Sequence, residues 1–142
     1  MAKLHSLIRF QRHELDEKRK ILLELNNQLE LLQNEKQKNL DDLSREKNLA
    51  AVDIECARHF PLYLGRMMAK IEKIEQAIQS KLLEIHAATH VVQEAFLEVK
   101  KLEVAQANRD QAEEAHQKKV ETNILDDIGI ETFRRNKGEE QV

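Results

Sequence analysis

Two histidines and a glutamate form an arrangement in the sequence whose spacing could bind a metal ion. His86 and His90 lie four residues apart and Glu94 follows four residues later, so all three share one face of a helix. The metalloprotease signature places a glutamate directly after the first histidine, but here an alanine follows. Further ligands would have to come from a facing helix, where we expect Gln33 and Lys36. We therefore predict two surface histidines and no metal site.

The single cysteine, Cys56, is the other residue with reactive potential. Arg58 and His59 lie close to it in the sequence, and a nearby positive charge can favour a thiolate. However, no set of nucleophile, base and orienting residue can be assembled around Cys56, and the three glycines stand apart, so they form no phosphate loop. A pair of helices also offers no cavity for a substrate. We predict that the protein is not an enzyme, has no cofactor and takes no small-molecule substrate.

The composition indicates the kind of secondary structure that contains these residues. Of 142 residues, 35% are charged and 4% are aromatic, with three glycines and one proline. This profile is typical of a coiled coil or a long helical hairpin, and the length suits one domain. We see no apolar run long enough for a membrane span and no signal-peptide core at the N-terminus. The lone cysteine suits a reducing compartment, and the net charge of −3 excludes a basic footprint for nucleic acid. We therefore expect a cytoplasmic protein.

The stretch around Pro61 predicts the corner of a hairpin. Proline removes a backbone donor and clashes with the preceding turn of a helix, whereas it is tolerated in the first turn of a new helix. We therefore predict helix 1 at about 2–58, a corner at about 59–62 and helix 2 at about 63–120. The alternative is a kink in one continuous rod.

Apolar residues recur in both arms at alternating spacings of three and four, which is the heptad period of a coiled coil. The stripe of the first arm has polar gaps at Gln11, Lys18, Lys36 and Asn39, and that of the second arm has one at Lys81. The predicted stripe of helix 1 comprises Leu4, Ile8, Leu15, Leu22, Leu25, Leu29, Leu32, Leu43, Ala50, Ile54 and Ala57. The predicted stripe of helix 2 comprises Leu64, Met67, Ile71, Ile74, Ile78, Ile85, Ala88, Val92, Ala95, Val99 and Leu102. Two such stripes predict an all-α, antiparallel two-helix coiled coil.

A corner near Pro61 also predicts a register, in which the numbers of facing residues add to about 121. The facing pairs are then Leu43 with Ile78, Leu29 with Val92, and Leu22 with Val99. At the open end, Leu15, Ile8 and Leu4 face Gln106, Glu113 and Gln117. Because these partners are polar, we expect a loosely paired end whose apolar residues are available to another protein, or a frayed end without a function.

The C-terminal residues predict a short tail. A small apolar face with basic residues after it suggests a further helix at about 121–137. Within it, Phe133 is followed by Arg134 and Arg135. We expect residues 138–142 to be disordered.

Both ends of the chain resemble one family. The segment 3–18, KLHSLIRFQRHELDEK, resembles the start of FliJ-family proteins, the small coiled-coil component of the flagellar type III export apparatus. The segment 125–135, LDDIGIETFRR, resembles the C-terminal end of proteins of that family, where a Leu-Asp-Glu-like element precedes basic residues. Here the third position of that element is Asp127. Length and layout agree as well, so the resemblance covers the whole chain.

The resemblance implies a stalk-like coiled coil that binds the export ATPase ring and is linked to the export gate and to export chaperones. It would be peripheral to the membrane through these partners only. We expect the ATPase contact at the open end, or alternatively at the corner. A holdase-type chaperone and a purely architectural coiled coil remain alternative functions. The residues expected at the open end are Leu4, Ile8, Arg9, Arg12, Leu15, Phe133, Arg134 and Arg135, and those at the corner are Ile54, Phe60 and Tyr63.

Overall fold

Two long helices make up the part of the chain that the structure describes. The computed structural model describes the backbone of residues 2–140 and the side chains of residues 3–138. Helix α1 spans Ala2–Val52 and helix α2 spans Ile54–Glu140, and no strand occurs within 2–140. The predicted all-α architecture of two packed helices is confirmed. The chain divides into two compact units, one formed by Phe10–Leu97 and the other by the residues up to Arg9 together with those from Glu98.

The larger unit, Phe10–Leu97, is an antiparallel hairpin. Two contacts between the helices show its direction: Lys36 Nζ lies 2.5 Å from Glu75 Oε2, and Lys81 Nζ donates to Gln28 Oε1 at 2.7 Å. Early residues of α1 are therefore paired with later residues of α2. The predicted stripes form the seam of this hairpin, since their residues up to Ala50 on α1 and from Leu64 on α2 are buried or half-buried. The four polar positions of α1 lie in the same seam, and Asn39 is buried.

The corner lies at Asp53, so the predicted corner at 59–62 is wrong. Asp53 is the one residue between the two helices, and its Oδ1 accepts a hydrogen bond from the backbone N–H of Glu55 at 2.9 Å. Aspartate is a favoured N-cap because its side chain satisfies an N–H group that the first turn leaves unpaired. The predicted seam residues Ile54 and Ala57 are consequently exposed.

Pro61 lies inside α2, beyond its first turn. Its ring nitrogen cannot donate to the carbonyl of Ala57, so one intrahelical hydrogen bond is missing. Both Pro61 and Ala57 are exposed. Water can therefore hydrate the freed carbonyl, which explains why the helix continues through the proline.

The earlier corner also changes the register. In the two observed cross-helix contacts, 36 with 75 and 28 with 81, the residue numbers add to about 110, and not to about 121. Leu32 therefore lies level with Ile78, and the predicted pairs of Ile78 with Leu43 and of Val92 with Leu29 are wrong. Both stripes repeat every seven residues, so their apolar pattern alone fits several registers.

The smaller unit contains the first turns of α1 and the C-terminal part of α2. Ile8, Val99 and Gln106 are buried in it, and Gln106 Nε2 donates to Asp110 Oδ1 at 2.8 Å. Beyond Gln106, α2 continues without a break to Glu140. The predicted separate tail helix is therefore part of α2, because Gly129 lowers helix propensity by only about 1 kcal/mol and does not end the helix. The prediction of disorder is wrong for residues 138–140, which are helical. Residues 141 and 142, for which disorder was also predicted, lie outside the described part.

Candidate functional site

The C-terminal part of α2 is the most exposed region that the structure describes. Every residue from 107 to 138 is exposed, and we call this segment the tail. At 1.5 Å per residue it is about 48 Å long. It carries six exposed large apolar side chains, which are Val120, Ile124, Leu125, Ile128, Ile130 and Phe133. The tail is therefore the candidate site for contact with another protein.

The apolar side chains of the tail are distributed around the helix. Val120, Ile124 and Ile128 follow each other at intervals of four and share one face. Ile130 and Phe133 lie three apart on a different side, about 120° and about 180° from the centre of that face at 100° per residue. A single docking stripe would instead be confined to one side. The tail therefore has the pattern of a helix that a partner contacts from several directions.

Three of the predicted open-end residues lie in the tail. Phe133 is exposed, and so are Arg134 and Arg135. The guanidinium of Arg135 lies 3.6 Å from a carboxylate oxygen of Glu131, one turn earlier. The structure thus places an aromatic side chain beside two basic ones on an exposed segment, and their role in partner binding stays a prediction.

The predicted open-end residues of α1 do not form an exposed strip. Ile8 is only 6% exposed and Leu15 only 4% exposed, and Leu4 is half-buried. The expectation that these side chains are available to another protein is wrong, because they are buried or half-buried within the fold. Arg9 and Arg12 are exposed.

The corner forms a second exposed apolar surface. Ile54 is 78% exposed, while Phe60 and Tyr63 are half-buried beside it. Sequence reasoning did not identify Val52 and Leu62, which are also exposed there. A shallow concavity at the corner is lined by Glu46, Asp53, Glu55, Cys56, His59, Phe60, Leu62, Tyr63 and Arg66.

The side chains considered for chemistry have ordinary surroundings. His90 Nε2 lies 3.1 Å from Glu94 Oε1, and His86 is exposed. The expected neighbour Lys36 is paired with Glu75, and no group of three or more histidine, cysteine or acidic side chains within the described residues is placed to hold a metal. Partial burial raises the pKa of the Cys56 thiol, and the carboxylate of Asp53 raises it further. This shift disfavours the reactive thiolate.

The contact between Lys36 and Glu75 gives a pH prediction. The hydrogen bond from Lys36 lowers the pKa of Glu75 below its ordinary value of 4.5, and a second one from Gln79 adds to this effect. A lowered pKa in the folded state means that the stabilisation is present above pH 4.5 and is lost as the pH falls through the folded-state value. We expect Glu75→Gln to lose stability at pH 7 and to show a weaker decrease below pH 4.5 than the parent.

Thermal unfolding between pH 3 and pH 7 measures this effect. Glu72→Gln serves as the control, because Glu72 is an exposed carboxylate three residues before Glu75, on the preceding turn of α2. Parallel pH curves for the parent and Glu75→Gln would contradict the prediction.

The arrangement defines a class of protein. It is an all-α coiled-coil protein with exposed large apolar side chains at the tail and at the corner. None of the described helices has an apolar segment long enough to span a membrane.

The chain belongs to the FliJ family. A family model described as the flagellar FliJ protein matches residues 1–138, which is nearly the whole chain. The protein is therefore a component of the flagellar export apparatus, in a family of structural or escort components. A comparison with curated proteins found no match, and a comparison with solved structures found none either.

Proposed function

We propose that this protein binds the ring of the flagellar export ATPase through its tail and links that ring to the export gate and to export chaperones. It acts in the cytoplasm and meets the membrane only through these partners. The observation that carries the ATPase contact is the tail, whose residues from 107 to 138 are all exposed and include six large apolar side chains. The link to the gate and the chaperones rests on the family alone.

A ring-shaped partner suits the distribution of these side chains. A helix that is apolar on several sides is normally surrounded by other protein. A ring can surround a helix, whereas a flat surface or one neighbouring helix covers a single side. The position of Ile130 and Phe133 away from the face of Ile124 and Ile128 therefore supports enclosure.

The basic residues at the end of the tail contribute in a different way. Arg134 and Arg135 are exposed, as are Arg9 and Arg12 near the start of α1, which we retain as proposed contributors. Exposed charges speed and orient association more than they tighten a complex. Their effect is screened beyond about 8 Å at physiological ionic strength. The apolar and basic residues should thus give two distinguishable kinds of variant.

The test is binding kinetics with the purified export ATPase at two salt concentrations. We expect Ile124→Ala with Ile128→Ala to weaken binding at both, by at least tenfold, because each side chain loses its apolar contact with the ring. We expect Arg134→Ala with Arg135→Ala to slow association mainly at low salt. Helix content by circular dichroism should not change, since these residues are exposed and alanine favours helices.

A matched control uses exposed apolar residues elsewhere on α2. Leu83→Ala with Leu97→Ala removes the same kind of side chain from the larger unit and should leave ATPase binding intact. Full binding by both tail variants would exclude the tail as the contact. Loss of binding in Ile54→Ala with Phe60→Ala would then assign the contact to the corner.

A further inference from the structure

The seam of the hairpin Phe10–Leu97 contains charged residues at positions that are normally apolar. Lys36 on α1 and Lys81 on α2 are half-buried in the seam. Each lysine reaches a polar partner on the other helix. Lys36 Nζ pairs with Glu75, and Lys81 Nζ donates to Gln28 and also lies 2.9 Å from Glu84 on its own helix.

The two contacts fix which seam positions face each other. With the facing numbers adding to about 110, Lys36 lies level with Ile74, and Lys81 lies level with Leu29. Leu43 lies level with Met67 in the same way. The lysines thus face apolar seam residues, and their ammonium groups turn aside to the polar partners.

A slip of one heptad would leave the apolar pattern almost unchanged. Both stripes repeat every seven residues, so a shift of seven residues again places seam positions opposite seam positions. Leu43 would then face Ile74, and the helices would have moved past each other by about 10 Å. Within the seam the main difference is electrostatic, because Lys36 would face Lys81.

Two observations are compatible with a slipped register. The slip moves the centre of the hairpin from about residue 55 to about residue 58 or 59, which brings Pro61 to the first turn of α2, where proline is tolerated. The buried Nδ2 of Asn39 has no hydrogen-bond partner in the observed register, so this residue does not specify it. The Asp53 cap at the corner and the charged pairs in the seam are then the features that distinguish the observed register from the slipped one.

We propose that the hairpin has a second register one heptad away from the observed one, and that Lys36 and Lys81 select the observed register. Like charges facing each other in a seam are a recognised device against a wrong pairing. A change of charge at position 36 or 81 therefore shifts the hairpin between the observed register and the slipped one. The register change exposes different residues at the corner and slides the outer faces of the two helices past each other.

Charge reversal at position 36 tests this proposal. In Lys36→Glu the new carboxylate repels Glu75 in the observed register and attracts Lys81 in the slipped one. Two cysteine reporters distinguish the registers in a Cys56→Ser background: Leu43→Cys with Met67→Cys for the observed register, and Leu43→Cys with Ile74→Cys for the slipped register. The yield of disulfide within one chain is measured after mild oxidation on a non-reducing gel.

We expect the observed-register reporter to exceed the slipped-register reporter at least tenfold with Lys36 present. Lys36→Glu should invert this ratio, and the further change Glu75→Lys should shift it back towards the observed register, because the ion pair is then re-formed there with exchanged charges. The matched control is Lys38→Glu, which makes the same charge change at an exposed position and should leave the ratio unaltered.

Two outcomes overturn the proposal. An unchanged ratio in Lys36→Glu, in a chain with parental helix content by circular dichroism, excludes selection by these charges. Loss of both disulfides also overturns it, because the slipped register keeps the helices paired.

Discussion

Ile78→Asp is expected to lower the melting temperature by at least about 10 °C, which corresponds to about 3–5 kcal/mol of stability. Ile78 is 6% exposed, in the middle of the seam of the hairpin. The substitution removes a branched side chain that fills the seam and leaves a carboxylate in a dry interface. The residue level with position 78 on the other helix is Leu32, which offers no compensating charge. Thermal unfolding by circular dichroism measures the change.

The matched control for Ile78→Asp is Gln76→Asp. Gln76 is exposed two residues earlier on the same helix, so this variant introduces the same side chain with the same helix propensity outside the seam. Its melting temperature should fall by only a few degrees. Equal decreases in the two variants would show that α2 does not bury the face that contains Ile78.

Pro61→Ala is expected to stabilise the protein by about 2 kcal/mol. A proline in the interior of a helix costs about 3 kcal/mol, and alanine restores the N–H group that can donate to the carbonyl of Ala57. Part of the gain, about 0.4–1 kcal/mol, is offset because the unfolded chain becomes more flexible without the proline. No packing is lost, since Pro61 is exposed. Chemical denaturation at 25 °C measures the free energy of unfolding.

The sign of the effect of Pro61→Ala decides between the two positions of the corner. A decrease in stability would mean that the fixed backbone angle of proline is used in a turn, as the sequence predicted. Leu62→Ala, at an exposed neighbouring position, is the control and should change the free energy of unfolding by less than about 0.5 kcal/mol.

The functional surface was only partly predictable. Phe133, Arg134 and Arg135 were predicted as contact residues, and they are exposed on the tail. Ile8 and Leu15 were predicted in the same role but are buried, because their exposure depended on the register. A usable signal was present after Gln106: the heptad positions up to His116 are polar, and of the large apolar residues that reappear from Val120 onwards most lie off the heptad.

The sequence alone determined the fold class, the residues of the seam up to Ala50 and from Leu64, and the resemblance to the FliJ family. Heptad spacing identifies which face of each helix is buried, and this local property does not depend on where the chain turns. Asn39 and Lys36 were assigned to the seam by the same spacing, although their side chains are polar.

Only the tertiary structure decided the corner, the register and the extent of the exposed tail. Pro61 is the stronger breaker of a helix by propensity, but Asp53 caps α2, and the exposed position of Ala57 and Pro61 lets water reach the carbonyl that the proline leaves unpaired. The register is visible only in long-range contacts, those of Lys36 with Glu75 and of Lys81 with Gln28. A pattern that repeats every seven residues cannot specify its own offset, so side chains distant in sequence have to select it.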